Sequence, residues 1–397
     1  MPPLRPPYPM RMVASRPRGR IGGHLHRLFF GRPFDGAHAH RVLVLFRPDR
    51  ISFASAFPFL AYAHAFQGRH DAQVRLFPVA RALESGLPRG LAEPTHVVAQ
   101  AWLTDPPEEH AALARFLDSL PGGTVTAFLD TFANCDIRLA ARLPKLDLYF
   151  KKSLFVDRSA FLRPTYGHTN LTEYYGRLYD LPDETTDWEV PADALPRLRL
   201  APNFLTSPDL MQDFVAAPRP PGQQGRDIDL HARLGGTAKG GWYGEMRRQA
   251  ARAVDAIPGC VTATGYGVSR DTFLDEMRRS RICFSPFGYG ELCWRDIEAI
   301  AMGAVLLKPD MSHLETTPDL YRDDETYVAC AWDFSDLEDK VRALLADPAR
   351  RHRIAQTAWQ RAHDYLQGDG PVESFAPLFD TATRDTAPFA RESGDRG

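Results

Sequence analysis

The segment 280–316 combines residue types that suit the binding of a diphosphate. The apolar stretch 282–284 predicts a strand, the sequence SPFGYG at 285–290 predicts a loop at its carboxyl end, and a helix is predicted from Glu291 to Met302. In open parallel sheets, ligands bind outside the carboxyl ends of the strands. Glycines let backbone N–H groups approach a ligand closely, and a helix N-terminus adds unpaired N–H donors with partial positive charge.

Charged side chains on this helix complete the predicted site. Arg295 lies in the first turn, where its guanidinium can donate paired hydrogen bonds to phosphate oxygens. Glu298 lies three residues further on the same face, and its carboxylate can accept hydrogen bonds from a ribose or sugar diol. A purely structural interpretation stays open. In it, the glutamate at the helix start complements the helix dipole, the arginine and the second glutamate form an ion pair, and the glycines serve only a tight turn. The predicted donor contacts of this segment are Ser285, Gly288, Tyr289, Gly290, Glu291, Arg295, Glu298 and Lys308.

A second group of candidates follows the strand predicted at 227–234. Arg233 lies near the end of that strand, ahead of Gly235, and a glycine pair at a strand end suits close approach of a donor phosphate. Lys239 can assist, so we predict these three residues as donor contacts, with a plain turn as the alternative. The DID sequence at 227–229 has the spacing of a metal-binding motif, but it opens a strand directly after a linker, so we attribute it to chance. Because the 13 histidines show no compact ligand spacing, we expect no metal and no cofactor.

Strands and helices alternate along both halves of the chain. The predicted strands are 40–47, 73–79, 95–103, 124–129, 146–150, 227–234, 261–264, 281–286 and 304–308. The predicted helices are 52–66, 108–120, 243–257, 271–280, 293–302, 336–346 and 348–366. Such alternation implies an α/β fold with parallel sheets.

We therefore predict two Rossmann-like domains that face each other across a cleft. The expected divisions are a disordered basic arm at 1–38, an acceptor domain at 39–217, a linker at 218–226, a donor domain at 227–370 and a tail at 371–397.

The stretch SRICFSPFGYGELCWRDIEAIAMGAVLLKPD at 280–310 resembles the C-terminal signature of exostosin-like and group 1 glycosyltransferases. The resemblance implies the GT-B fold, with a nucleotide sugar bound mainly by the C-terminal domain. It also implies that Arg295 contacts phosphate and Glu298 the ribose, with Lys308 and His313 as less specific contacts. The wider group often has two glutamates eight residues apart, whereas Glu291 stands seven before Glu298. This departure leaves the stereochemistry of transfer open.

Transfer with inversion needs a base that deprotonates the acceptor hydroxyl. Asp130 is the first candidate because it ends the strand at 124–129, and Asp49, which follows the first strand, is the second. Each could instead cap a helix. The polar and aromatic stretch 166–172 is expected to line the acceptor side or to form a connecting loop, and the Lys151–Lys152 pair to face the cleft or solvent.

Composition restricts the partners. The net charge of -2 gives no reason to expect nucleic acid as a partner, although the first forty residues hold seven arginines and only one acidic residue. Such an arm could contact a membrane surface or an acidic glycan. Five widely spaced cysteines and no signal-peptide core favour a cytoplasmic protein, and peripheral contact with the inner face of the membrane stays open. The expected partners are a nucleotide-diphosphate sugar and a glycan or lipid-linked acceptor.

The sequence thus predicts a glycosyltransferase that moves a hexosyl or pentosyl group to a hydroxyl acceptor, in surface polysaccharide or glycoconjugate synthesis. Two alternatives stay open. A sugar-nucleotide epimerase has the same two-domain shape, and a non-catalytic protein could keep the nucleotide-sugar site without a base.

Overall fold

The computed structural model describes residues 32–143, 145–215 and 220–380. Most of the predicted arm, part of the predicted linker and residues 381–397 of the predicted tail lie outside these ranges. The described residues form two parallel sheets, one in each half of the chain. The prediction of two Rossmann-like domains is therefore confirmed.

The N-terminal domain is built on six parallel strands in the order β2-β1-β3-β4-β5-β9. Its strands are β1 (His40–Phe46), β2 (Ala72–Pro78), β3 (His96–Ala99), β4 (Val125–Asp130), β5 (Leu148–Lys151), β6 (Ser153–Phe155), β7 (Thr165–Tyr166), β8 (Thr185–Thr186) and β9 (Leu198–Leu200). Its helices are α1 (Arg50–Ala61), α2 (Ala63–His70), α3 (Val79–Ser85), α4 (Pro107–Asp118), α5 (Asn170–Leu178) and α6 (Pro208–Val215). The region after 190, for which no strand or helix was predicted before the linker, thus holds the edge strand β9 and the helix α6.

The C-terminal domain is built on five parallel strands in the order β11-β10-β12-β13-β15. Its strands are β10 (Ile228–Ala232), β11 (Thr262–Thr264), β12 (Ser280–Phe284), β13 (Val305–Pro309), β14 (Leu314–Thr316) and β15 (Val328–Cys330). Its helices are α7 (Gly241–Asp255), α8 (Arg270–Arg279), α9 (Trp294–Ala301), α10 (Leu337–Ala346), α11 (Pro348–Gln367) and α12 (Gly370–Glu373).

Apolar runs and capping side chains explain where these elements form. The run from Val42 to Phe46 is completely buried in β1, as expected for a strand covered on both faces. Helix α5 begins where the Thr169 hydroxyl accepts a hydrogen bond from the Thr172 amide in a capping box. The stretch 166–172, predicted as an acceptor-side segment or a loop, thus contains a short strand and the first turn of α5.

The two domains pack against each other in this structure. Strand β14 of the C-terminal domain pairs antiparallel with β6 of the N-terminal domain, so backbone hydrogen bonds cross between them. The chain also returns to the N-terminal domain after α11. The ring centroid of Phe375 lies 4.3 Å from that of Phe59 and 5.2 Å from that of Phe150. The tail prediction for 371–397 is therefore wrong for 371–380, which belong to the packed core.

Candidate functional site

The loop between β12 and α9 lies at the carboxyl edge of the C-terminal sheet, where the sequence places the site. Helix α9 begins at Trp294, one residue after the start of the predicted helix 293–302 and three residues after the alternative start at Glu291. Asp296 causes the later start, because its carboxylate accepts a hydrogen bond from the Cys293 amide at 3.0 Å. Glu291 therefore lies in the loop and does not complement the helix dipole. Arg295 is in the first turn, as predicted.

Two arginines without carboxylate partners lie together beside this loop. Arg295 donates to the carbonyl oxygen of Arg233 at 2.7 Å, and its buried Nε has no hydrogen-bond partner among the described residues. Arg247 on α7 is 4 % exposed and donates to the carbonyl oxygen of Phe287, and its Nε also lacks a partner there. Burial, followed by the charge of Arg295, lowers the pKa of Arg247. Two neighbouring cations without a counter-ion suit the binding of an anion.

Arg247 was not identified from the sequence, although its position carries a signal. The buried stripe of α7 includes Gly244, Met246, Ala250 and Val254, and Arg247 belongs to the same buried face. Charged residues are rarely buried unless they are paired or functional. An arginine within an otherwise apolar stripe is the pattern that would have found this residue.

Glu298 lines an open cavity of about 350 Å³ next to the arginines. Its carboxylate accepts a hydrogen bond from Arg270 at 2.6 Å, so it forms an ion pair with Arg270 and not with Arg295, its partner in the structural alternative. Tyr266 is 71 % exposed and forms part of the cavity wall. The cavity thus offers an aromatic face and a carboxylate, which suit a nucleoside.

The predicted contacts on the neighbouring strand β10 differ in their availability. Arg233 forms two hydrogen bonds with Glu276, at 2.8 and 2.6 Å, so its guanidinium is engaged within the protein. This pairing contradicts a role for Arg233 as a free phosphate ligand and leaves it a wall of the cavity. A Cβ at Gly235 would meet nothing within 4 Å, so this backbone is open to a ligand. Lys239 is exposed.

Lys308 and Ser285 are corrected from donor contacts to structural residues. Both side chains are completely buried. The ammonium of Lys308 lies 3.2 Å from the Asp296 carboxylate, and the Ser285 hydroxyl donates to the same carboxylate at 2.6 Å. Tyr321 donates to it as well, at 2.8 Å. This buried network holds α9 against its two strands and leaves neither side chain free to reach a donor.

The glycine loop makes a close backbone contact with the N-terminal domain. A Cβ at Gly290 would lie 2.0 Å from the carbonyl oxygen of Ala133, which follows β4. The side chain of Asn134 donates to the Tyr289 carbonyl oxygen. The Tyr289 ring is 57 % exposed and stacks on that of Tyr243 at 4.3 Å. Gly290 is therefore needed for the contact between the domains, while the Tyr289 ring stays accessible. A Cβ at Gly288 would lie 3.4 Å from the sulfur atom of Cys293.

Glu291 lies at this contact with an uncompensated carboxyl group. It is completely buried, and no cation pairs with its carboxylate among the described residues; the Asn170 side chain is its nearest hydrogen-bond donor, without ideal geometry. Burial raises the pKa of Glu291; the Asn170 side chain partly offsets this, and the charge of Asp136 adds to it. These neighbours belong to the N-terminal domain, so a carboxyl group from a loop of the C-terminal domain faces the N-terminal domain.

Neither predicted base is free to accept a proton from a substrate. Asp130 is 4 % exposed, and its Oδ2 accepts hydrogen bonds from Tyr149 at 2.6 Å and from Lys151 at 2.8 Å. Asp49 caps α1 through the backbone amides of Ile51 and Ser52. Its other oxygen accepts from the Trp102 indole at 3.0 Å. Both assignments are corrected: each carboxylate is committed to a structural contact that spacing along the chain does not reveal.

Other titratable side chains near the cleft are also buried. Lys151 and Lys152 do not face solvent, and burial lowers the pKa of Lys152 to about 7. Burial also lowers the pKa of His231 and of His313 to about 4, so both imidazoles are neutral near neutral pH. His313, implied by the resemblance as a donor contact, packs its ring 5.0 Å from the Trp332 ring.

Residues 224–367 match the model of a family described as "Glycosyl transferase-like". The match confirms the resemblance to glycosyltransferases for the C-terminal domain, without indicating exostosin-like members. No curated protein sequence matches the chain significantly.

Solved structures of similar overall shape have low sequence identity. An α-glucosyltransferase in complex with UDP and a 13-mer DNA has 10 % identity and a TM-score of 0.49, covering 86 % of this chain and 99 % of its own. Anabaena Alr3699/HepE in complex with UDP-glucose has 10 % identity and a TM-score of 0.45, covering 87 % and 100 %. A putative UDP-N-acetylglucosamine 2-epimerase from Listeria monocytogenes has 12 % identity and a TM-score of 0.41, covering 85 % and 96 %.

The expectation that nucleic acid is not a partner is corrected here. Several similar solved structures of the same α-glucosyltransferase are complexes with DNA as well as with UDP or UDP-glucose. A net charge near zero was an insufficient reason for the exclusion, because nucleic-acid binding depends on the local distribution of basic groups.

Within the described ranges, no helix has the length and apolar character needed to cross a membrane.

Proposed function

We propose that the protein transfers a sugar, hexosyl or pentosyl, from a nucleoside-diphosphate sugar to a hydroxyl group of a glycan or lipid-linked acceptor. The observation that carries this proposal is the pair of arginines, Arg247 and Arg295, which have no carboxylate partner in the described chain. A diphosphate supplies the missing negative charge and accepts hydrogen bonds from both guanidinium groups.

The surroundings of the arginines suit the remaining parts of such a donor. On one side, the cavity with Glu298 and Tyr266 has room for a nucleoside. Arg270 binds only Oε1 of Glu298, so the other carboxylate oxygen can accept a hydrogen bond from a ribose hydroxyl. On the other side, the loop 285–293 leads to Glu291 and the N-terminal domain. A donor bound in this order directs its sugar towards the domain contact, where an acceptor is expected.

In the reaction, the two arginines act on the departing diphosphate. Negative charge develops on the leaving oxygen as the bond to the anomeric carbon breaks. Two fixed cations stabilise that charge more strongly than the charge of the bound donor, which favours the transition state. Synthesis of a surface polysaccharide or glycoconjugate is the biological setting that we propose.

Thermal-shift titration with UDP, GDP and ADP tests the donor site. A ligand that binds only the folded protein stabilises it by about 2.7 kcal/mol at one hundred times its dissociation constant, so one nucleotide should raise the melting temperature in a saturable manner. The absence of any shift with all three would refute the proposal. Turnover of a bound nucleotide sugar without acceptor to an epimeric sugar would favour the epimerase instead.

A further inference from the structure

A small cavity in the N-terminal domain contains a buried carboxylate oxygen without a partner: Asp136 Oδ2 makes no hydrogen bond to another described residue. Asp136 and Asn170 line the same cavity of about 30 Å³, which is room for about one water molecule or one hydroxyl group. The Asn170 side chain is turned towards Glu291, whose pKa it lowers as a hydrogen-bond donor. A hydroxyl group that enters this cavity can donate a hydrogen bond to the free oxygen of Asp136.

The same cavity is bordered by groups that suit a sugar ring. The Arg138 guanidinium lies 4.0 Å from the Trp188 ring centroid and donates a hydrogen bond to the His168 carbonyl oxygen. The rings of His168 and Trp188 lie 6.0 Å apart. His168 is exposed and Trp188 is half-buried, so this rim is open to solvent. Aromatic faces beside polar groups bind molecules that have an apolar ring face and many hydroxyl groups.

The cavity also adjoins the loop that leads to the donor arginines. Asp136 is close enough to Glu291 for its charge to raise the pKa of that carboxyl group, and Asn170 acts on the same group. Two residues beyond Glu291, Cys293 is in turn close enough to affect the pKa of Arg247. The cavity and the arginines therefore flank one short loop.

We propose that Asp136 is the general base of the transfer reaction and that this cavity receives the attacking hydroxyl of a carbohydrate acceptor; the inference rests on the function proposed above. The acceptor oxygen forms a bond to the anomeric carbon of the donor sugar, and its proton moves to Asp136 Oδ2. The bond between the anomeric carbon and the diphosphate oxygen breaks, and its electron pair leaves with the diphosphate, which faces Arg247 and Arg295.

The electrostatics of Asp136 support this role. Burial raises the pKa of its carboxyl group; Arg138, whose Nε lies 2.8 Å away, lowers it, as does Lys151, and Asp130 raises it. Glu291 faces Asp136 from the other domain. A raised pKa makes a carboxylate a stronger proton acceptor, and the reaction requires its ionised form. The transfer rate therefore rises as pH increases through the pKa of Asp136.

The test compares Asp136→Asn with Asp118→Asn, a control at an exposed carboxylate that pairs with Lys145. The donor is a nucleotide sugar that contains the nucleotide found to bind in the titration. The acceptors are p-nitrophenyl β-D-glucoside, p-nitrophenyl β-D-galactoside and water. We expect Asp136→Asn to lower turnover by about 10²-fold or more and to remove the acidic limb of the pH profile. The dissociation constant of the donor should stay within about twofold, and the control should match the wild type.

A second variant tests the rim independently of the base. Trp188→Ala should raise the KM for the p-nitrophenyl glycoside severalfold, with little change in donor affinity or in hydrolysis by water. The assignment would be overturned if Asp136→Asn turned over within a few-fold of the wild type and kept the acidic limb of the pH profile. It would also be overturned if the wild type bound the donor but transferred its sugar to none of the acceptors. Absence of nucleotide binding by the wild type would instead refute the proposed function, and the inference with it.

Discussion

Replacement of Arg247 by glutamine should separate nucleotide binding from folding. Arg247 is 4 % exposed, its Nε has no partner in the described chain, and the charge of Arg295 lies nearby. A charge-assisted hydrogen bond contributes about 1.5–3 kcal/mol, and about 1.4 kcal/mol corresponds to a factor of ten in affinity. Loss of one such bond to a diphosphate therefore weakens binding by roughly 10- to 150-fold.

The effect on folding should be small. The substitution removes one hydrogen bond to the Phe287 carbonyl oxygen, which contributes about 1.5–3 kcal/mol because its donor is charged. It also removes a buried cation that has no counter-ion among the described residues and an unpartnered donor, which costs about 1–3 kcal/mol. Because these contributions nearly cancel, we expect the free energy of unfolding of Arg247→Gln to lie within about 1 kcal/mol of that of the wild type. Most buried substitutions lower it.

Isothermal titration calorimetry with the nucleoside diphosphate and urea denaturation measure the two quantities. The control is Arg252→Gln, on the same helix, because Arg252 is exposed and donates only to Gln249. The control should change neither quantity. Our reasoning would be refuted by an Arg247→Gln variant that binds the nucleotide within twofold of the wild type. Equal losses of affinity and of stability would also refute it, because Arg247 would then be a structural residue.

Three further predictions concern the contact between the domains. Burial raises the folded pKa of Glu291 above its usual 4.5, so its protonated form favours folding. The stability of the wild type is then lost as pH rises through the folded pKa. At pH 7, urea titration should give Glu291→Gln a free energy of unfolding about 1–3 kcal/mol higher than that of the wild type, and near pH 4 this difference should disappear. Gly290→Ala places a methyl group against the Ala133 carbonyl oxygen and should lower the free energy of unfolding by about 1–3 kcal/mol; an unchanged value together with an unchanged radius of gyration would contradict the close contact. Phe375→Ala should cost about 3–5 kcal/mol in urea denaturation because its ring packs on Phe59, whereas a frayed tail would show almost no loss.

The sequence was sufficient to predict the elements with strong local signals. The apolar run of β1 and the alternation around β12 and β13 place strands within a few residues of those observed. Elements with weak signals were missed, such as the three-residue strand β9, which pairs at the sheet edge with β5. Such a short edge strand depends on its neighbour, so its own residues carry little information.

Helix boundaries illustrate the same limit within the site. The sequence places Arg295 in a first helical turn, and the structure agrees. The start at Trp294 depends on Asp296, whose carboxylate is held by Lys308 and Tyr321 from other parts of the chain. A capping interaction that is fixed by distant residues cannot be derived from local spacing.

By itself, the sequence determined the order of the elements and the edge of the sheet at which a donor site should lie. The glycine loop, Arg295 and Glu298 are close together in the chain, so their relation is local. Only the tertiary structure decided which charges are neutralised. Asp130 forms an ion pair with Lys151, and Arg233 with Glu276, whereas Arg247 and Glu291 have no oppositely charged partner among the described residues. These pairings join residues from different elements, and the free energy of a buried charge depends on the groups around it in space.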